Sequence, residues 1–319
     1  MGPSTESSWS IRELSFDDVD FLAALHLAVV ARPKVSTLIA QPVQDLLESG
    51  SASELRLRPV VGAYQHNILR IGIVGVESPG ASNVMLVPFE LDSQVELEGG
   101  LLALRHAREM AGDYGISLSQ VIGPERQSKW DDILQEAGFI RLTDLVYMTR
   151  TVCNDTANFS RRLLGRDQRW VTCSAETEPL FCDAIGRSYV QSMDCPELTN
   201  DRTVQQSLSS HRAVGVFDPA TWFVLADGDQ PQGVLLLSKV RREPVMEIVY
   251  MGVSQLARGS GVADLLMDQA LRITAAKATS LILAVDARNE PAKRLYARWG
   301  FVEIARRAAW IATMCSIGR

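Results

Sequence analysis

Cysteine is scarce in this chain of 319 residues. The five cysteines, at positions 153, 173, 182, 195 and 315, are scattered, odd in number and without CxxC spacing. Such a set neither staples a small secreted domain nor builds a zinc ribbon, and it reads as reduced thiols of a cytoplasmic protein. Histidine is scarcer: His26, His66, His106 and His211 stand apart without ligand spacing, and no metal is expected. Long apolar runs are also missing. The longest, about Phe21 to Ala31, is too short for a bilayer and contains His26, so no membrane span is expected. The amino terminus lacks a basic stretch leading into an apolar core, the signature of a secretory signal. Positive charge is in deficit as well. A net charge of −6 and a pI near 5.4 argue against nonspecific nucleic-acid binding, which needs a basic footprint.

What is present is an ordinary globular mixture, 46% hydrophobic and 22% charged, long enough for two domains. The two halves repeat one order of elements. In the second half, Gly261 opens a helix to about Ala276, a strand runs Ser280–Asp286, and a helix from Glu290 to Trp299 ends at Gly300-Phe301. In the first half, Gly100 opens a helix to about Ala111, a strand runs Ile116–Ile122, and a helix from Ser128 to Ala137 ends at Gly138-Phe139. The glycine pair is offset by 161 residues and the phenylalanine pair by 162, a slippage of one. Upstream, strands at Trp9–Glu13 and Trp170–Ser174 lead into periodic helices at Asp17–Val30 and Glu176–Gln191. Second helices are expected at Ala40–Glu48 and Thr203–Ser210. Hairpins follow, at Pro59–Tyr64 with Ile68–Glu77 and at Trp222–Ala226 with Gly233–Val240, the latter around a turn at Asp227–Gly233. The order in each half is β-α-α-β-β-β-α-β-α-β. The expected domains are 1–152 and 167–319, with a linker at 153–166.

The sharpest local signal follows the strand Val245–Val253. There Arg258-Gly259-Ser260-Gly261-Val262-Ala263 turns the chain into a helix. A helix start leaves amides unpaired and carries partial positive charge, glycines let a backbone approach an anion, and Arg258 adds a cation. The pattern suits a phosphate. Glu247 lies on the preceding strand, where strict alternation puts Glu247, Val249, Met251 and Val253 on one face and Ile248 and Tyr250 on the other. An ionised carboxylate there is costly to bury and is expected to face a wet cleft.

These residues resemble the signatures of the GNAT superfamily of acyl-CoA N-acyltransferases. Arg258, Gly261 and Ala263 fit the family's phosphate signature, an Arg or Gln, two residues, Gly, one residue, then Gly or Ala. Asn289-Glu-Pro-Ala292-Lys-Arg-Leu295-Tyr296, followed by Gly300-Phe301, is similar to its second signature. The likeness is strong from Gln168 to Met314 and holds only in outline for the first half. The doubled arrangement resembles the tandem GNAT proteins, an architecture shared by mycothiol synthases, without implying their acceptor. The resemblance implies a mixed-sheet α/β fold in two tandem domains, with acetyl-CoA or another acyl-CoA as co-substrate. It implies that the pyrophosphate lies on the amides of Arg258 to Ala263, with Asn289 as a further cofactor contact. The pantetheine would run along the strand edge near Met251 and Val253, where the fourth and fifth strands splay. The helix from Glu176 and the segment Asp194–Asn200 would border the acceptor. In that setting Tyr296 is the candidate general acid and Glu247 the candidate base. Asn289 reads equally as a helix N-cap.

Aligned on these signatures, the first half puts Leu97 at Arg258, Glu98 at Gly259, Leu102 at Ala263 and Leu134 at Tyr296. Glu96 and Glu98 stand where an anion would lie, so this half is expected to keep the fold without acyl-CoA. Tyr64, Trp130 and Tyr147 read as core or interface aromatics. The expected activity is transfer of an acetyl group to a primary amine of a small molecule. Modification of protein amines and a non-catalytic acyl-CoA sensor stay open. Neither nucleic acid nor membrane is an expected partner.

Overall fold

A computed structural model of the chain describes residues 9–29, 43, 46–47, 56–88, 91, 93–123, 129–152, 163–199, 203–241 and 243–313. Cys153, Cys315, most of the expected linker and nearly all of the Ala40–Glu48 helix lie outside them. The chain forms two compact units, Met1–Thr143 with Arg307–Arg319, and Asp144–Arg306.

In the first unit, β1 (Trp9–Glu13), β2 (Leu57–Gln65), β3 (Ile68–Ser78) and β4 (Ser82–Leu86) pair antiparallel in order, and β4 pairs parallel with β5 (Leu118–Ile122). His66 and Asn67 both take positive φ in the β2–β3 turn, as a tight hairpin of twisted strands requires. One face of the sheet packs on α1 (Phe21–Val29), through Ala24, Leu25, Val60 and Val74. The other packs on α2 (Gln94–Asp113) and α3 (Trp130–Glu136), through Leu104, Ala107, Trp130 and Leu134. Tyr64 and Trp130 are core residues here.

The second unit repeats the plan. β7 (Gln168–Thr172), β8 (Trp222–Asp227), β9 (Gln230–Lys239) and β10 (Val245–Val253) pair antiparallel, and β10 pairs parallel with β11 (Ser280–Asp286). The β8–β9 turn is shorter than expected. Asp227 pairs with Gln230, Gly228 takes positive φ, and Pro231 lies inside the strand beside a register shift. α4 (Glu178–Tyr189) and α5 (Val204–Arg212) cover one face, where Phe181, Ile185 and Leu208 meet Trp222 and Leu236. α6 (Val262–Lys277) and α7 (Glu290–Arg298) cover the other, where Leu266, Leu271 and Leu295 meet Leu235, Met246 and Leu283.

The sixth strand of each sheet comes from beyond the expected linker. β6 (Ile140–Thr151) follows the first half in sequence, yet its residues Leu145–Thr151 pair antiparallel with β11, and Val146 and Met148 enter that core. β12 (Val302–Thr313) ends the second half, yet Ala309–Thr313 pair antiparallel with β5, and Ala308, Trp310 and Ala312 enter the core of the first unit. The boundaries 1–152 and 167–319 therefore divide the sequence, whereas the compact units exchange their last strands.

The repeated Gly-Phe signal is a helix stop in both halves. After α7, Gly300 takes φ 78°, its N–H bonds Ala297 O at 3.0 Å, and Phe301 N–H reaches back to Tyr296 O at 3.0 Å. After α3, Gly138 takes φ 83°, with Gly138 N–H on Gln135 O at 3.0 Å and Phe139 N–H on Leu134 O at 2.9 Å. These paired bonds satisfy the last carbonyls, and only glycine holds the left-handed residue without strain. Phe139 and Phe301 are buried.

Candidate active site

In the second unit β10 pairs with β11 only from Val245 to Ile248, against Ser280 to Leu283. Beyond Ile248 the strands part, and among the described residues the β11-facing edge of Val249–Val253 has no strand partner. Such an edge can accept an extended amide-bearing ligand as an added strand. Met251 and Val253 lie on it. On its other side β10 stays paired with β9, but the register shifts between Ile248 and Tyr250. The extra residue is Val249, a β-bulge.

The bulge corrects the expected alternation. Met246 and Ile248 pack on the α6–α7 side of the sheet, and after the bulge Met251 and Val253 do so as well. Val249 and Tyr250 both pack on the α4–α5 side, and Glu247, between Met246 and Ile248, points that way too. Glu247 and Met251 therefore lie on opposite faces. Gly252 stands where α4 comes closest: an added Cβ would lie 2.5 Å from Ser188 Oγ.

Glu247 is half-buried and, among the described residues, its carboxyl has no hydrogen-bond or ion-pair partner. Burial alone pushes its pKa up to about 7. That is the range in which a carboxyl both holds and releases a proton near neutrality. Tyr296, on α7, is buried against Phe301 with ring centroids 5.9 Å apart. Burial and then the Asp194 charge raise its pKa, which keeps the phenol protonated and able to donate. Asn289 caps α7, its Oδ1 accepting the N–H of Ala292 at 3.2 Å. Its amide also favours the charged form of the Asp194 carboxyl.

The turn before α6 has the form of an anion cradle. Gly259 and Gly261 take φ of 78° and 92°. Arg258 N–H and Ser260 N–H are turned inward, each at 3.3 Å from an acceptor, on Gln255 O and Ala257 O. The Ser260 hydroxyl donates to Ala257 O at 2.7 Å. The N–H groups of Gly259, Gly261, Val262 and Ala263 have no acceptor among the described residues. Space around Gly259 is open, with nothing within 4 Å of an added Cβ. Four unengaged amides at a helix start fit a pyrophosphate by the chemistry of their donors. Asp264 in the first turn is held by Arg298 at 2.6 Å and by the Trp299 indole at 2.8 Å, which offsets its charge beside the turn.

The Arg258 side chain goes elsewhere. Its guanidinium donates to the carbonyls of Ser188 (3.0 Å), Val190 (2.7 Å) and Gln191 (3.0 Å), at the end of α4.

Two residues that motif reading left without a role, Asp286 and Arg288, fasten the expected acceptor-bordering segment on the far side of the site. The Asp194 carboxylate accepts the N–H of Asp286 at 2.9 Å, while the Asp286 carboxylate accepts the N–H of Cys195 at 3.1 Å. Arg288 grips both Asp286 oxygens and forks onto Glu197 at 2.7 and 2.9 Å. Asp194 keeps an open face, yet protein packs closely enough around its carboxyl that desolvation raises the pKa, against the bond it accepts from Asp286 N–H. The signal available in sequence was Asp286-x-Arg288, two charges placed at a strand end just before the capping Asn289. On the α4 side, Ser188 Oγ and the Tyr250 hydroxyl are 2.7 Å apart, and His211 stacks on Tyr250 at 5.2 Å.

At the corresponding place in the first unit the cradle is gone. α2 begins at Gln94, not at Gly100 as expected, so helix replaces the turn for two further turns. Ser93 caps it: its Oγ accepts Glu96 N–H at 3.2 Å while the Glu96 carboxylate accepts Ser93 N–H at 3.1 Å. Gly99 and Gly100 lie inside the helix. Gly99 is there because a Cβ would come within 2.6 Å of the Trp9 ring.

A splayed mixed sheet, with a glycine-opened helix and unengaged amides beside the splay, is the architecture of an acyl-CoA-dependent acyltransferase. Residues 189–301, about a third of the chain, match the Acetyltransferase (GNAT) family. That family implies an acyl-CoA co-substrate and an amine acceptor for the matched residues. The fold of the chain is similar over nearly its whole length to that of solved tandem proteins. One is a tandem GNAT protein from the clavulanic acid biosynthesis pathway, 13% identical, covering 96% of this chain and 98% of that one, with a TM-score of 0.60. Another is a GCN5-related N-acetyltransferase from Sphaerobacter thermophilus, 14% identical, covering 97% of each chain, with a TM-score of 0.62. A third is a GCN5-related glucosamine N-acetyltransferase region of a fungal multi-domain β-N-acetylglucosaminidase. It is 13% identical and covers 98% of this chain and 38% of that one, with a TM-score of 0.63. At these identities the likeness is one of fold, and it bears out the mixed α/β class and the doubled arrangement. No curated protein matches the chain. No helix among the described residues is long and apolar enough to cross a membrane.

Proposed function

We propose that the second half transfers an acetyl group from acetyl-CoA to the primary amine of a small molecule, while the first half binds no acyl-CoA. The observation that carries this reading is the Glu247 carboxyl, unpartnered and with a pKa of about 7, on the strand that offers the open edge. Acetyl-CoA supplies the activated acyl group. Its pyrophosphate rests on the turn Arg258–Ala263 through the backbone, with Ser260 and Asn289 nearby, and its pantetheine follows Met251 to Val253. Glu247 accepts the proton of the ammonium group, directly or through water, leaving a neutral nucleophile. A backbone N–H near Met251 to Val253 faces the carbonyl oxygen as charge develops there. As the nitrogen–carbonyl bond forms and the carbon–sulfur bond breaks, Tyr296 passes its phenolic proton to the departing sulfur. It regains one, through solvent, from the nitrogen, which sheds its second proton to become the amide.

The first unit supports the second clause by contrast. The Glu96 carboxylate occupies its own helix start, Leu97 replaces Arg258, and buried Leu134 replaces Tyr296. A small acceptor is favoured by the described activity of one similar fold, a glucosamine N-acetyltransferase region.

The test is a screen of primary amines with acetyl-CoA, read by thiol release, with Tyr296→Phe as control. The variant should lose about a hundredfold in kcat, the scale of a positioned proton donor, with CoA affinity within about twofold. Unchanged turnover removes Tyr296 as the acid. Tight CoA binding without turnover of any amine moves the protein to a sensor.

A further inference from the structure

The segment between α4 and α5 is fastened at two places. At its start, Arg258 donates to the carbonyls of Ser188, Val190 and Gln191, and the Gln255 amide donates to Gln191 Oε1 at 2.8 Å. Further on, Asp194 and Cys195 lock onto Asp286, and Glu197 onto Arg288, at the entrance to the helix that carries Tyr296. At the fastenings themselves Gln191 and Cys195 hold left-handed φ of 50° and 43° without being glycine. Such residues persist only where neighbours fix them. One fastening is thus on the turn that would hold the pyrophosphate, the other on the helix that would supply the acid.

Chemistry explains why the first fastening needs arginine. The end of a helix presents carbonyls without internal partners and a partial negative charge. A guanidinium offers five donors in a rigid fork, so one side chain can satisfy three carbonyls on diverging directions. A lysine ammonium offers a point charge on a flexible stem. Three of the five N–H donors of the Arg258 guanidinium are thus directed to carbonyls at and just after the end of α4.

We infer that Arg258 is a positioning residue for the acceptor loop Val190–Leu198, tying its order to the acyl-CoA turn, and not a ligand of the phosphate. The role deepens the transfer reading, on which it rests: a filled turn would stiffen the loop that borders the acceptor. The backbone of the turn binds the anion, and the side chain transmits the state of the turn to the loop.

The test is hydrogen exchange of the full-length protein, alone and with CoA, in wild type and Arg258→Met, beside a direct titration of CoA. In the variant, peptides over 188–198 should exchange about tenfold faster without ligand, while those over β11 and α6 keep their rates. CoA affinity should stay within about threefold. In wild type CoA should slow exchange over 188–198, and in the variant that slowing should vanish. A loss of CoA affinity of about tenfold or more with unchanged loop exchange makes Arg258 a phosphate ligand and overturns the inference. Should Arg258→Met not fold, Arg258→Lys serves, since a lysine reaches one carbonyl at a time. The loop should then loosen with CoA affinity intact, and an unloosened loop overturns the inference. If wild type fails to bind CoA the transfer reading falls, and exchange without ligand still reads the fastening itself.

Discussion

Glu247 illustrates how a single carboxyl ties activity to stability. It ordinarily titrates near 4.5, and in the folded protein near 7, because burial disfavours the charged form. Between those values the unfolded chain has released a proton that the folded chain keeps. Stability is therefore complete below about pH 4.5 and falls as pH rises toward about 7, beyond which the loss is constant. Replacement by glutamine removes the slope. Glu247→Gln should melt several degrees higher than wild type at about pH 8 and at nearly the same temperature at about pH 4, by thermal unfolding. In turnover the same variant should lose about a hundredfold in kcat, and the limb of the rate profile that rises through pH 7 should disappear. A variant both less stable and fully active at pH 8 would place the base elsewhere. The identity of Glu247 was legible in the sequence, but its expected wet cleft was not what the structure shows, since burial alone raises its pKa. The face it points to was not legible. A bulge adds one residue to a strand without any marker in composition, and Val249 between Ile248 and Tyr250 looks like any other strand valine.

At the scale of elements, what could be read ahead of the structure follows a physical rule. Helix stops were legible because a left-handed residue after the last turn selects glycine, and the buried residue after it selects an apolar side chain. Gly138-Phe139 and Gly300-Phe301 answer to that rule, which is why the repeat can be seen at all. Gly138→Ala should lose about 1–2 kcal/mol, the cost of left-handed φ for a residue with a Cβ. A neighbour compounds the loss, since that Cβ would lie 1.9 Å from Arg108 Nη1. Chemical denaturation should show it as a lower midpoint at unchanged slope. Helix starts were legible in one half only. Gly261 must bear φ 92°, so its place is marked, whereas inside α2 Gly99 makes room for Trp9 and Gly100 lies close against Leu91 and Trp130. A glycine needed for close packing and a glycine needed for a turn are the same letter. The direction of Arg258 was equally hidden, because its acceptors, the carbonyls of Ser188 to Gln191, lie about seventy residues earlier in the chain.

For the whole molecule, the sequence order of the two halves is the same whichever strand closes each sheet, so the exchange of β6 and β12 left no trace in the motif pattern. It has consequences for cutting the chain. Residues 1–152 alone would leave β5 without Ala309–Thr313 and its core without Ala308, Trp310 and Ala312. Residues 167–319 alone would leave β11 without Leu145–Thr151 and its core without Val146 and Met148. Each fragment should be insoluble or partly folded when made alone, and the two should yield a soluble complex when made together, by size-exclusion chromatography and circular dichroism. Two fragments that are each monomeric and cooperatively folded would contradict the exchange. Removal of residues 307–319 sharpens the point: the damage, read by hydrogen exchange, should fall on β5 and α2, far back in the sequence.

The same exchange sets a clock on synthesis. Chains emerge from the ribosome at roughly 5–20 residues per second, and amino-terminal domains usually finish folding first. Here the first unit waits for its closing strand, which follows the end of β6 by about 160 residues, a delay on the order of ten to thirty seconds. Throughout that interval β5 is an open sheet edge above an incomplete core, a surface that other strands can join. The second unit needs only β6, already made, and can close as soon as β11 appears. The half that carries the glycine cradle is thus completed in order of synthesis, while its older-born companion is sealed by a strand made about 160 residues later.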